Sequence, residues 1–162
     1  MVKLSSDHLQ AFMQQHGISG EVLHLSVPTP TVEMAAQAVE CQPEQIVKSI
    51  LFLINDEPVL TITCGTPRVE RRAIASHYQV GRKRVNLASA KTVLTISGYE
   101  VGSMPPFGHQ QPLETLIDPT VLTKEEVYAG GGADNALLCI SPKDIQHYSQ
   151  AVVLDLHNLP AS

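Results

Sequence analysis

A chain of 162 residues with 43% hydrophobic and 17% charged side chains has the make-up of a soluble globular protein, and its length suits one domain over residues 1–162. No apolar run approaches the roughly 20 residues of a membrane-spanning helix, and the opening MVKLSSDHLQ lacks the apolar stretch of a secretion signal. The net charge of -5 argues against a strong general nucleic-acid binder, and a cytoplasmic protein with no DNA or membrane partner is expected. Cys41, Cys64 and Cys139 are odd in number and widely spaced, which predicts free thiols. The histidines show no metal-ligand spacing, so neither a metal nor a cofactor is expected, and His8, His16, His24 and His77 read as surface residues.

The chain opens with a predicted amphipathic helix, capped by Ser5 or Ser6, striped by Leu9, Phe12 and Met13, and ended by Gly17. A strand is expected at 21–25. Thr31 is a good N-cap for a helix through Val39, and Ala35, Ala36 and Ala38 predict that this helix packs closely. Pro43 starts one more helical turn. The stretch from Ile46 to Cys64 then reads as two strands joined by a polar turn at Asn55, Asp56 and Glu57, with Pro58 just beyond. Alternation puts Ile46, Lys48, Ile50, Phe52 and Ile54 on one face. An ammonium among such neighbours is costly unless paired; it either snorkels out of the strand end or serves a partner.

Further along, helices are expected at 69–77 and 88–95. Between Gly98 and Pro112, GYEVGSMPPFGHQQP gathers three glycines and three prolines and predicts a rigid loop, either a structural turn or a ligand holder. Short strands are expected at 116–118, up to Tyr128, and at 136–140. Gly130, Gly131 and Gly132 make a second loop, flexible or closely approached, without the spacing of a nucleotide fingerprint. Ser141 caps a helix that Pro142 begins, and a last strand is expected at 152–156.

Charge is unevenly spread. Arg68, Arg71, Arg72, Arg82, Lys83, Arg84 and Lys91 fall in one 24-residue window that holds Glu70 as its sole acid. Such a cluster is either a solvated face or a phosphate-binding patch for a polyanion such as RNA, with Arg71, Arg72, Arg82, Lys83 and Arg84 as its binding candidates.

In order and spacing, TVEMAAQAVECQPEQIVKSILF, LTITCGTPRVE, GSMPPFG, LIDPTVL and VYAGGG…LLCISPKDI resemble the YbaK/prolyl-tRNA synthetase editing-domain family. The likeness runs from about Thr31 to Tyr148. It implies an α/β (α+β) fold with a strongly curved, barrel-like mixed sheet surrounded by helices. It also implies trans-editing hydrolysis of mischarged aminoacyl-tRNA, chiefly tRNA(Pro), with aminoacyl-tRNA and prolyl-tRNA synthetase as partners. Lys48 falls on the family's functional lysine, and Gly102 to Pro106 on its G-x-x-x-P loop; Ser103 stands where some members carry a second glycine. The implied substrate-binding set is Thr31, Ile50, Gly102, Ser103, Met104, Pro105, Pro106, Phe107, Gly108, His109 and Gly131, around the catalytic Lys48.

Ester hydrolysis generates an oxyanion, which each preorganised donor can stabilise by roughly 3 kcal/mol. No Ser-His-Asp arrangement is legible, Ser103 and His109 being remote candidates, so a water nucleophile is expected. Two other classes remain open: a non-catalytic tRNA- or synthetase-binding module, and a thiol enzyme using Cys64 or Cys139.

Overall fold

The computed structural model describes residues 3–159; residues 1–2 and 160–162, the ends of the expected domain span, lie outside them. Over the described residues the fold is mixed α/β, with five α-helices and two β-sheets. Helix α1 (Ser6–His16) has Ser5 as N-cap and ends at Gly17, whose φ of +64° suits glycine. Strand β1 (Glu21–His24) follows, then helix α2 (Val32–Val39), where the Thr31 hydroxyl accepts from the Met34 amide at 3.1 Å. Ala35 and Ala36 are buried; Ala38, expected to pack with them, faces out on the far side of the helix. A 3-10 turn at Pro43–Gln45 leads into the hairpin β2 (Val47–Ile54) and β3 (Glu57–Cys64). Asn55 and Asp56 alone form its turn, both at positive φ, the geometry that matches the twist of a two-residue hairpin. Glu57, expected in the turn, pairs instead with Ile54.

Helix α3 (Arg71–Tyr78) starts two residues later than expected because Glu70 caps it, accepting from the Arg72 amide at 3.2 Å. A short strand β4 (Val85–Leu87) precedes helix α4 (Ala90–Ser97), which Ser89 caps, so it runs two residues later than expected. After the Gly-Pro loop come β5 (Glu114–Ile117), β6 (Val127–Gly130) and β7 (Ala136–Ile140), and Ser141 caps helix α5 (Pro142–Ser149). Strand β8 is only Val152–Val153, because the Asp155 carboxylate folds the chain into a turn by accepting from the amides of His157 and Asn158.

The sheets run β4-β2-β3-β5-β8 and β1-β7-β6. Among the described residues they meet at one parallel bridge, Ile46 with Tyr128, and do not close into a barrel. The reason lies along β2. Its outer edge pairs with β4 only at Phe52, Leu53 and Ile54. On that edge Val47–Ile50 have no strand partner among the described residues, so the sheets part there. The main core fills the space between them, with Leu60, Ile62 and Leu138 fully buried, each contributing about 1.5–3 kcal/mol. A second cluster lies under α3, around Phe52, Val59 and Leu116.

Candidate functional site

The gap between the sheets is a cavity of about 230 Å³. Lys48 reaches it from β2, Gly130 from β6 and Leu137 from β7, with Thr31 and Ala35 of the α2 segment and Gly102 and Met104 of the Gly-Pro loop as the other walls. Of the expected residues, the cavity gathers Lys48, Thr31, Ile50, Gly102 and Met104. Ala35, Ile46, Gly130 and Leu137 were not foreseen; all are small or apolar, and nothing in the sequence separates them from ordinary core residues.

Lys48 is half-buried, on the face shared by Ile50 and Phe52. Its ammonium donates to the Pro67 carbonyl at 3.4 Å. Burial holds its pKa below the usual lysine range, and the nearby Cys64 and Glu33 oppose that shift. Opposite it on β3 stands Thr63, fully buried.

The loop facing Lys48 is fixed by its own backbone. Gly102 turns at φ +89°, a conformation that side chains resist, and Ser103 donates to the Glu100 carbonyl through its amide (3.1 Å) and hydroxyl (3.3 Å). The Ser103 carbonyl accepts from the Gly132 amide at 2.9 Å. A Cβ on Gly130 would lie 2.3 Å from the Met104 carbonyl oxygen, so β6 approaches this loop as only glycine allows. A Cβ on Gly131 would lie 2.5 Å from Ala136, and the Gly131 amide donates to the Ala136 carbonyl, which places Gly131 behind the cavity wall. The triple glycine is thus a close-approach segment. Among the described residues, the amides of Gly102 and Met104 have no hydrogen-bond partner.

The rest of the loop turns the other way. Pro106, Phe107, Gly108 and His109 line a separate cavity of about 270 Å³ together with Phe12 and Tyr148. Phe107 stacks on Phe12 at 5.7 Å and meets Tyr148 edge-on at 6.3 Å. His109 Nε2 lies 2.7 Å from the Pro105 carbonyl, which can only accept, so Nε2 carries the proton. Burial depresses the pKa of this imidazole to about 4, leaving it neutral at pH 7. Ser103 and Pro105 are buried between the two cavities and line neither.

Arg72, Arg82, Lys83 and Arg84 are exposed, and Arg71 lies over the Phe52 ring, its guanidinium carbon 5.7 Å from the centroid. Phe52 follows Lys48 by four residues on the same face, roughly 13 Å along a strand, so Arg71 borders the side of the sheet that carries Lys48. Among the described residues, none of these five cations forms an ion pair.

The three cysteines are free, none lines the Lys48 cavity, and burial pushes the Cys139 thiol up to about 11. Among the described residues no group of three His, Cys, Asp or Glu could hold a metal, and no helix is long and apolar enough to cross a membrane.

Residues 26–148 match the model of the aminoacyl-tRNA editing domain. The chain belongs to that family. It is 24% identical over 147 residues to the uncharacterized protein YwhH of Bacillus subtilis, covering 90% of this chain and 92% of that one. It is 28% identical over 98 residues to a proline–tRNA ligase of Bacillus cytotoxicus, of which it spans only 17% while 59% of this chain is matched. Among solved structures, a "putative trans-editing enzyme for prolyl tRNA synthetase" superposes with a TM-score of 0.87 at 29% identity, over 94% of this chain and 96% of that one. The editing family is therefore shown, together with its relation to prolyl-tRNA synthetases.

Proposed function

We propose that this protein hydrolyses, in trans, the ester that joins a small amino acid to the terminal adenosine of a mischarged tRNA, chiefly tRNA(Pro). One observation carries the reading: a half-buried ammonium, Lys48, shares a small cavity with Gly102 and Met104, whose amides lack partners among the described residues. Water attacks the ester carbonyl carbon, the carbonyl oxygen takes up the negative charge, and the amides or Lys48 stabilise it without reorganising. The bond from that carbon to the ribose oxygen then breaks. The leaving oxygen takes a proton, releasing free amino acid and an intact tRNA end; in this reading the neighbouring ribose hydroxyl of the substrate relays that proton.

The walls formed by Ile50, Met104 and Leu137 limit the aminoacyl group to a small side chain such as that of Ala, Ser or Cys. Arg71, Arg72, Arg82, Lys83 and Arg84 steer the phosphate backbone toward this side of the sheet, a contact that weakens with salt. A prolyl-tRNA synthetase is the partner that the ligase relatives suggest, and translation sets the site of action in the cytoplasm.

The test is single-turnover deacylation by Lys48→Ala beside thermal melting. The rate is expected to fall by about 100-fold or more, with the melting temperature within about 4 °C of the parent. Near-normal turnover in a folded variant overturns the role of Lys48.

A further inference from the structure

The family match ends at Tyr148, yet the chain beyond it reaches back to the Lys48 site. Past β8, the Leu154 amide donates to the Ile117 carbonyl at 3.0 Å, which continues the run alongside β5. Asp118, just past the end of β5, is buried to 1% exposure, and its carboxylate accepts from the Leu156 amide at 2.8 Å and the Thr120 amide at 3.0 Å, as well as from the Thr120 hydroxyl. This anchor brings in His157. One imidazole nitrogen, Nδ1, lies 3.1 Å from the Arg68 carbonyl. The other, Nε2, lies 2.5 Å from the Thr63 hydroxyl and 3.9 Å from the Asp118 carboxylate. A carbonyl only accepts, so Nδ1 donates, and in the neutral ring Nε2 accepts from Thr63.

These contacts converge on one segment. Residues 65–70 join β3 to α3 and carry the Pro67 carbonyl that receives the Lys48 ammonium. The segment is tied at its start, where the Gly65 amide donates to the Ile46 carbonyl at 2.9 Å, and at its end, where the Glu70 amide donates to the Leu156 carbonyl at 2.6 Å. Between these ties, Pro67 and Arg68 are exposed, and Arg68 is held through its carbonyl by His157. Consecutive carbonyls, Pro67 and Arg68, thus receive the ammonium and the imidazole. Thr63, which fixes the other side of the imidazole, is the residue directly opposite Lys48 on the neighbouring strand.

We propose that His157 is a positioning residue for Lys48: by holding the Arg68 carbonyl it sets the adjacent Pro67 carbonyl, which fixes the direction in which the lysine head enters the cavity. This rests on the reading of Lys48 given above. A lysine side chain has four rotatable bonds, and a single hydrogen bond to an exposed segment would leave it mobile; the tie at Arg68 removes that freedom. His157 does not touch the substrate and acts through the segment alone.

The decisive measurement needs no substrate. Carbon relaxation at Cε reports the order of each lysine head. In the wild type, Lys48 is expected to be more ordered than the exposed Lys83 and Lys91; in His157→Ala it should drop to their level, while theirs stay unchanged. His157→Gln, which keeps one donor and one acceptor, should recover most of the order. In single-turnover deacylation, His157→Ala should lose about tenfold in the chemical step with the substrate KM within about twofold, because a displaced catalytic group slows the reaction more than binding. If the alanine variant does not fold, Thr63→Val removes the other support of the ring and should lower Lys48 order in the same way. Unchanged Lys48 order in a folded variant overturns the positioning role, whatever the hydrolysis assay shows. A wild type whose Lys48 responds as expected but which cleaves no mischarged tRNA overturns the deacylase reading and leaves the tether in place.

Discussion

The Gly-Pro loop separates two cavities of similar size and opposite character. On one side Gly102 and Met104 share a cavity with a cation, with β6 backbone at contact distance and with the outer edge of β2 where, among the described residues, it has no strand partner. On the other, Pro106 to His109 are locked by Phe12, Tyr148 and a neutral imidazole. The difference teaches how a rigid loop is made. Among the described residues the Gly102 and Met104 amides are without hydrogen-bond partners, while the next residues of the loop are held by packed aromatic rings. The comparison also separates what a substitution on each side should disturb: chemistry on the first, stability on the second.

The largest effect that can break this division is expected from Gly130→Ala. Its new methyl would meet the Met104 carbonyl at 2.3 Å, and both atoms belong to backbone, so the loop or β6 must shift. A displacement of about 1 Å at donors facing the reaction costs on the order of 100-fold in rate. Overpacking of this kind costs only about 1–3 kcal/mol in stability. Single-turnover deacylation beside denaturant unfolding checks it; a rate within twofold of the parent would show that the close approach does not set the Lys48-facing amides.

The aromatic side is tested by pH. The His109 value is depressed from 6.5 to about 4 by burial, so between those values the unfolded chain binds the extra proton and the folded one does not. Stability is therefore complete above pH 6.5 and falls as pH drops toward 4. In His109→Gln the amide can still donate to the Pro105 carbonyl but no longer titrates. Relative to that variant, the wild type should lose about 2 kcal/mol between pH 7.5 and pH 5, since each tenfold difference in proton affinity between the two states is worth about 1.4 kcal/mol. Parallel unfolding curves at the two pH values check it. A constant difference would mean that the ring is charged or hydrated in the folded state, and the loop would lose its neutral backing.

Much of the fold was legible because local chemistry and global fold agree in this chain. Thr31, Ser141, Gly17 and the Asn55-Asp56 turn mark their elements by side-chain oxygens and positive φ, and the structure uses each in that way. Boundaries slipped where a distant contact decided them: α3 waits for Glu70, whose amide is bound to Leu156, and β8 stops because Asp155 turns the chain. The failure of the sheet to close was illegible, since it depends on how far β4 runs along β2. At the site, Lys48 stood out as a cation on an apolar face, and Met104 and Gly102 as parts of a rigid loop. That the same loop sends Phe107 and His109 into a different cavity could not be read, because prolines fix φ locally but do not say which side each residue faces. His157 lies 94 residues from Thr63 and carries no local signal at all.

The smallest expected effect is the most specific to the Lys48 side. Met104 is 3% exposed and lines the cavity together with Lys48 and Ile50. Replacing it with alanine removes apolar volume from the cavity without touching the loop's fixed points, the Ser103 hydrogen bonds and the Pro105-Pro106 pair. A cavity discriminates poorly between side chains that differ by a methylene, about 1–3 kcal/mol each. Opening the wall should therefore change selectivity modestly: the ratio of deacylation rates for alanyl-tRNA over valyl-tRNA is expected to fall roughly tenfold in Met104→Ala, mostly by faster cleavage of the larger ester. The rate on alanyl-tRNA itself should change little, because Lys48 and the Gly102 amide keep their places. An unchanged ratio would remove Met104 from the surface that meets the substrate side chain, and the limit on size would then belong to other lining residues, Ile50 and Leu137 first.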